Sequence, residues 1–281
     1  MISLFLAFIY SLPVYMTDAK TELANYIESS SNILVLVGAG VSVNAGIPDF
    51  RSPGSGLYTQ FEAEDVFSID SFRYDPTPFY TMVSNLLFDE VGARKKFSPT
   101  RTHRFLKTLK EKRKLLRVFS QNIDGLEVDA GLVKGTDLIQ CHGSLDTIHC
   151  SQCSRGSAEV TPDDWFGAAS EKIRLNSGSP SSNFLTCKHC GGHLKPCVVL
   201  FGESLPKNIS TCLAKDVAVC DLLLVLGTSL SVYPFAAIPR MVPKSVPRFL
   251  LTKVPGQQQS MRLCEGDCDE IISELIKYLN W

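Results

Sequence analysis

With 281 residues, 44% of them hydrophobic and 20% charged, the chain has enough apolar material for one large domain carrying a smaller one. Its net charge of -1 excludes a global electrostatic pull toward nucleic acid, an anionic membrane or an acidic polymer. Ten cysteines in a chain this long, four of them in two CxxC pairs, argue for a reduced, metal-binding protein and against a disulfide framework.

Residues 1–16 carry no charge, as in the apolar part of a signal peptide, but they lack a basic start and fall short of the about 20 apolar residues that cross a bilayer. The expectation is an apolar extension that packs on the domain or precedes a working start at Met16. A secretory or anchor segment is the alternative, and only then would the sequon Asn208-Ile209-Ser210 matter.

Next, Thr17 or Asp18 caps a helix predicted to run to Ser29. The apolar run "NILVLVGAG" then reads as a strand buried on both faces. Similar runs follow at 115–119, 137–141, 197–201, 221–227 and 248–252, with helical stretches at 99–112, 206–219 and 269–279 between or after them. This alternation predicts an α/β fold, a doubly wound, parallel, Rossmann-like sheet with its ligand at the strands' carboxyl ends. Two stretches break the pattern. Residues 53–98 are expected to form an inserted helical flap, with a helix near 78–88. Residues 145–195 hold both CxxC pairs and a short helix capped by Thr161 and Asp164. The predicted division is a discontinuous nucleotide domain over 17–144 and 196–281 and a small zinc domain over 145–195.

Zinc takes four thiolate or imidazole ligands in a tetrahedron, and each CxxC knuckle supplies two thiolates. Cys150, Cys153, Cys187 and Cys190 therefore make a closed structural site; His149, His189, His193 and Cys197 lie near enough in sequence to compete. A full thiolate shell leaves no open position for chemistry. Such clamps also occur in nucleic-acid ribbons, but residues 144–196 balance five basic side chains (Arg155, Lys172, Arg174, Lys188, Lys195) against five acidic ones (Asp146, Glu159, Asp163, Asp164, Glu171), which argues against one here.

After the first strand, "GAGVSVNAGIPDF" places Gly38 and Gly40 at a strand-to-helix turn suited to a pyrophosphate, although Val43 stands where a third glycine would complete the usual fingerprint. Taken with "SQNIDGLE", "CHGS", the CxxC pairs, "FGESLP", "GTSLSVYPFA" and "GDCD", in that order, the chain from Asn32 onward resembles the sirtuins, NAD-dependent protein deacylases, and most of all their eukaryotic deacetylase branch.

The resemblance implies NAD and zinc as cofactors and an acetylated lysine in a protein as substrate, with nicotinamide and O-acetyl-ADP-ribose released. It implies that Gly38, Ala39, Gly40, Val41, Ser42 and Val43 cradle the pyrophosphate and that Asp49, Phe50 and Arg51 border the reacting ribose. Gln121, Asn122, Ile123 and Asp124 would hold the ribose and nicotinamide, with Asn122 and His142 catalytic and His142 the general base. Gly227, Thr228, Ser229, Thr252, Lys253, Val254 and Cys268 would meet the adenosine half. Val199, Phe201, Gly202, Glu203 and Val232 would border an extended acyl-lysine peptide held by β-augmentation. One departure stands out: where sirtuins usually carry Asn-x-Glu, this chain reads Thr252-Lys253-Val254, and Val254 cannot accept a hydrogen bond from a ribose hydroxyl. ADP-ribosyl transfer to protein, long-chain deacylation and a non-catalytic ADP-ribose or chromatin-associated module are the alternatives. No direct contact with nucleic acid or membrane is expected, and a cytoplasmic or nuclear location follows from the reduced cysteines. "KEKRK" at 110–114 reads as a solvated helix end more readily than as a nuclear signal.

Overall fold

The computed structural model describes residues 18–49, 66–87, 96–157, 159–174, 185–233, 235–254 and 260–281. The apolar start, Phe50, Arg51 and parts of the expected flap lie outside the described residues.

Among the described residues, eight strands form two sheets: β1 (Ile33–Val37), β2 (Leu115–Ser120), β3 (Leu138–Gln140), β4 (Gly143–Cys150), β5 (Leu194–Val198), β6 (Leu222–Leu226), β7 (Arg248–Thr252) and β8 (Arg262–Glu265). Six are parallel in the order β3-β2-β1-β6-β7-β8, and β4 and β5 pair apart from them, antiparallel. With β4 and β5 set aside, this is the strand order of a doubly wound Rossmann sheet, whose direction of winding reverses between β1 and β6.

Every side chain of β1 and β6 is buried, because alternate residues feed opposite layers. Val35, Val37, Leu224 and Leu226 join one core with the helices Asp18–Ser29, Arg101–Glu111 and Cys268–Leu279. Leu34, Leu36, Leu223 and Val225 join the other with Ile209 and Leu213 of Asn208–Asp216. The helix ends are set by local chemistry. Thr100 and His103 form a reciprocal cap at the start of Arg101–Glu111, and the Asp267 carboxylate accepts from the N–H groups of Asp269 and Glu270.

The second lobe has its own core. Phe72, Phe79, Tyr80 and Met82, from the described flap, pack with Ile148, Trp165, Phe166 and Leu194 of the CxxC region. Trp165 is fully buried, meets Tyr80 edge-on at 5.5 Å and donates its indole N–H to the Leu194 carbonyl at 2.8 Å. Arg73 adds a bridge across this lobe, donating to the Ser151 carbonyl. The chain's other tryptophan, Trp281, stacks on Phe105 in the large lobe.

The expected strand at 197–201 does not join the parallel sheet. Its first residues belong to β5, where Pro196 can donate no ladder hydrogen bond and a two-stranded edge tolerates it. Beyond them Phe201 pairs with the flap, donating to the Phe67 carbonyl and accepting from Ile69. The parallel sheet gains instead the short β8. Nor does an α-helix follow the glycine turn: two short 3-10 turns do, Ala39–Val41 and Val43–Ala45, the second closed by Gly46 in the left-handed region at φ 91°. The helix at 162–174 has the predicted cap, with the Asp164 N–H donating to Thr161 Oγ1. Among the described residues, no helix is long and apolar enough to cross a membrane.

Candidate active site

A cavity of about 570 Å³ opens at the carboxyl ends of β1, β2, β6 and β7, at the reversal point, and extends to the start of the small lobe. Its floor is a contact between two backbones. A side chain at Gly40 would lie 2.8 Å from the Gly227 Cα, and one at Gly227 would lie 2.5 Å from the Val41 nitrogen, so neither position accepts another residue. The Gly40 N–H donates to the Gly227 carbonyl and Thr100 Oγ1 to the Val41 carbonyl, which locks the turn. Of the residues expected here, Ala39, Gly40, Val43, Asp49, Gly227, Thr228 and Ser229 line the cavity; Gly38, Val41 and Ser42 stand behind that lining.

At one end His142 and Gln121 face each other. His142 Nδ1 donates to the Gln121 carbonyl at 3.0 Å, so its neutral ring keeps a lone pair on Nε2. Burial lowers its pKa below the ordinary 6.5, and the hydrogen bond to Gln121 partly offsets this. The imidazole is therefore neutral at pH 7 and able to take a proton. Gln121 Oε1 accepts from Thr228 Oγ1 at 2.8 Å, tying the β2 loop to the β6 loop. The buried Asn122 side chain donates to the Gly38 carbonyl and to Ser42 Oγ, and Ser42 Oγ donates to Asp124 Oδ2 at 2.7 Å. Gln121, Asn122 and Ile123 reach the cavity; Asp124 lies one layer behind it. Cys141, next to His142, is core: it is 2% exposed, and burial pushes its thiol up to about 12.

Thr252, Lys253, Val254 and Cys268 line the other end. Lys253 Nζ pairs with Asp267 Oδ2 at 2.9 Å, while the Asn44 side chain donates to Oδ1 of the same carboxylate. Cys268 is buried and directs its thiol to the Leu251 carbonyl at 3.4 Å.

Val199, Phe201, Gly202, Glu203 and Val232 also line the cavity. Phe201 is 50% exposed and Tyr233 67%, an apolar pair left open to solvent. The N–H groups of Val199, Leu200 and Phe201 donate to the His142 carbonyl, Glu203 Oε2 and the Phe67 carbonyl. Glu203 in turn pairs with Lys195, whose side chain is fully buried. Phe67, Val198, Leu200, Leu205, Ser231, Tyr233, Gly266 and Asp267 also line the cavity and were not among the residues expected there. Asp267 had a visible signal, since "GDCD" opens a helix; Phe67 had none, because only folding brings it here.

The four CxxC cysteines converge, all four Sγ atoms lying within 4.8 Å of one another. Two of the separations are 3.4 Å (Cys150 to Cys190) and 3.9 Å (Cys153 to Cys187), against about 3.8 Å between thiolates around a tetrahedral zinc. The donor set fits zinc and leaves no fifth position. The competing residues stay apart from it: His149 Nδ1 contacts Cys197 Sγ at 2.9 Å, and His193 packs on Phe72. All ten cysteines are free of disulfides.

A parallel sheet with a glycine floor, an imidazole at a strand end and a thiolate clamp in a second lobe together define a class. A sequence model of the Sir2 family matches residues 38–234, and the chain belongs to that family. Among curated proteins it is 40% identical to the NAD-dependent deacetylase sir2A of Dictyostelium discoideum (92% of this chain, 51% of that protein). It is 38% identical to the NAD-dependent protein deacetylase hst2 of Schizosaccharomyces pombe (89% and 72%) and 41% identical to the NAD-dependent protein deacetylase sirtuin-2 of Danio rerio (82% and 58%). The chain thus spans about half the length of the first of these relatives. Among solved structures, one described under the mechanism and regulation of Sir2 enzymes superposes with a TM-score of 0.79 at 25% identity, covering 94% of this chain and 99% of that one. A Sir2 complex with a deacetylated p53 peptide and 3′-O-acetyl ADP ribose superposes at 0.76 and 28% identity, covering 92% and 97%.

Proposed function

We propose that the chain is an NAD-dependent protein lysine deacetylase. The observation that carries this reading is a neutral His142, its Nε2 lone pair free of the Gln121 hydrogen bond, lining the same cavity as the Gly40–Gly227 floor. The cavity volume falls in the range of about 300–1,000 Å³ common to cofactor sites. A Cβ at Gly38 would meet Thr228 Cβ at 2.5 Å, so the turn keeps its backbone bare for a pyrophosphate. NAD, when bound, supplies a sugar carbon made electrophilic by its bond to nicotinamide.

The chain's own groups then have distinct tasks. Gly38 to Val43 hold the pyrophosphate, with Asp49, Phe50 and Arg51 beside the ribose. Asn122, fixed by Gly38 and Ser42, presents its amide to the ribose, and Ile123 and Asp124 border the nicotinamide. His142 takes the proton of a ribose hydroxyl on Nε2. Gly227, Thr228, Ser229 and the Thr252 to Val254 segment, with Cys268, receive the adenosine half. Zinc on the four cysteines stiffens the small lobe and does no chemistry.

The substrate is an extended peptide bearing an acylated lysine, laid between the Val199 to Glu203 lip and Val232. The Val199, Leu200 and Phe201 N–H groups already have partners, and the Leu200 and Phe201 carbonyls accept from the Glu203 and Ile69 N–H groups, so what this lip offers openly to a substrate is the exposed Phe201 ring. The division at 144–145 and 195–196 keeps most of the small sheet in one unit but passes through both of its strands, Gly143–Cys150 and Leu194–Val198, and the described flap shares the small lobe's core. Ten free cysteines, four of them set for a metal, support a reducing compartment, cytoplasmic or nuclear. The balanced charge argues against binding to nucleic acid or membrane. "KEKRK" supplies no free basic run: Lys110 pairs with Asp137, Lys112 covers the Trp281 ring and Lys114 donates to the Glu28 and Ser30 carbonyls.

The deciding assay measures nicotinamide released from NAD with and without an acetylated peptide. Peptide-dependent release, abolished by His142→Ala, is expected. NAD binding with no release sinks the reading in favour of a binding module. Faster release with long-chain acyl peptides, or ADP-ribose attached to protein, would move it to the corresponding transferase.

A further inference from the structure

Behind Asp124, on the side away from the cavity, lies a cluster that the reaction as outlined leaves unused. Glu127 and His103 are both fully buried, Glu127 on the short helix Leu126–Asp129 and His103 on Arg101–Glu111. A ring nitrogen of His103 and carboxylate oxygens of Asp124 and Glu127 all lie within 4.8 Å of one another. The Thr100 N–H donates to His103 Nδ1 at 3.2 Å, so the neutral ring carries its proton on Nε2. Among the described residues that Nε2 has no hydrogen-bond partner, and neither has Glu127 Oε2. A buried ring N–H and a buried carboxyl oxygen are thus left unpaired beside a second carboxylate.

The cluster is wired to the cavity wall. Glu127 Oε1 accepts from Ser120 Oγ at 2.5 Å, and Ser120 Oγ accepts from the Asn122 N–H at 3.0 Å. Asp124 accepts from Ser42 Oγ, which also holds the Asn122 side chain. Asn122 is therefore held from both sides, through Ser120 by Glu127 and through Ser42 by Asp124.

We propose that Glu127 is a positioning residue: kept protonated beside His103, it leaves Asp124 the only anion of the cluster and so holds Ser42 and Asn122 in register with the cavity. Two ionised carboxylates in so dry a space repel, and the one with better donors keeps its charge. Asp124 is only half-buried and accepts from Ser42 Oγ and the Leu126 N–H, whereas Glu127 is fully buried and accepts from Ser120 Oγ and its own N–H. Burial, with the Asp124 charge added, pushes Glu127 up to about 7, and burial pushes His103 down. The other charges acting on His103 are Asp129, Asp269 from the closing helix and Arg104 from its own helix. Above that pH Glu127 ionises, Asp124 is repelled from Ser42, and Asn122 loses its anchor.

This role rests on the deacylase reading, and its test separates the two. Nicotinamide release with acetylated peptide is followed from pH 6 to 9 for the wild type, Glu127→Gln and Ser120→Ala, and melting temperature is followed without NAD from about pH 4 to 9. For the wild type, kcat/KM for NAD is expected to fall above about pH 7 and to level off at roughly the 5- to 30-fold loss expected from removing the Ser42 anchor. E127Q, which cannot ionise, is expected to lack that alkaline limb and to differ from the wild type less at pH 6 than at pH 8.5. S120A removes the one side-chain hydrogen bond that favours the ionised form and is expected to move the limb to higher pH.

The folded state retains the Glu127 proton after the unfolded chain has lost it, so wild-type stability relative to E127Q is expected to fall as pH rises from about 4.5 to beyond about 7. Turnover with an E127Q limb like the wild type's, or with an S120A limb that does not move, overturns the positioning role alone. No turnover by the wild type overturns the deacylase reading, and the melting comparison still shows whether Glu127 holds a buried proton.

Discussion

The two ends of the cavity are built by opposite means. At the His142 end, buried polar groups hold one another: His142 on Gln121, Gln121 on Thr228, Asn122 on Gly38 and Ser42, and Ser42 on Asp124. At the Val254 end the described contacts centre on one carboxylate, Asp267, shared by Lys253, Asn44 and the start of the closing helix, while Val254 itself is 54% exposed. Preorganised groups belong where charge develops in a reaction, and a loosely held pocket suffices where a ligand is only gripped. The contrast predicts that damage at the first end reduces turnover and that changes at the second alter affinity.

The largest effect is expected from His142→Ala, a loss of about 10²- to 10⁴-fold in kcat, with melting temperature nearly unchanged and NAD still bound in calorimetry. Because burial lowers the His142 pKa, the acid side of the wild-type profile is expected below pH 6.5, where protonation removes the base. Ser42→Ala comes next. It takes an acceptor from Asn122 and a donor from Asp124 in a fully buried position, and a loss of about 5- to 30-fold in kcat/KM for NAD is expected. Val254→Glu supplies an acceptor at the far end and is expected to lower KM for NAD by about 2- to 10-fold at constant kcat. A change in its kcat instead would break the distinction between the two ends. The smallest effect belongs to Lys253→Ala: its side chain is mostly solvent-exposed and the buried Asp267 keeps Asn44 and the N–H groups of Asp269 and Glu270, so a shift in KM of under about twofold is expected, read in the same assays.

The large lobe was legible because its strands are buried on both faces and so appear as unbroken apolar runs; "ILVLV" and "LLLVL" need no partner information to be recognised. The same signal misled at 197–201, where an apolar run marks the crossing from the small sheet to the cavity lip. The strand Arg262–Glu265 escaped notice because three of its four residues are exposed, as an edge strand's are. In the site, Gly40, Asn122, His142 and the four cysteines carry their chemistry in their residue types. Glu127 and His103 do not. One glutamate in "DGLEVD" and one histidine in "TRTHRF" become a pair only when the Leu126–Asp129 turn packs against the Arg101–Glu111 helix.

The chain's two tryptophans fall one to each lobe, Trp165 sealed among the aromatics beside the thiolate clamp and Trp281 stacked on Phe105 at the end of the closing helix. Each is a built-in emission probe for its own half. A Trp281→Phe protein would fluoresce from Trp165 alone, so stripping the metal with a chelator could be followed in real time as a red shift from the small lobe, with the parallel sheet optically silent.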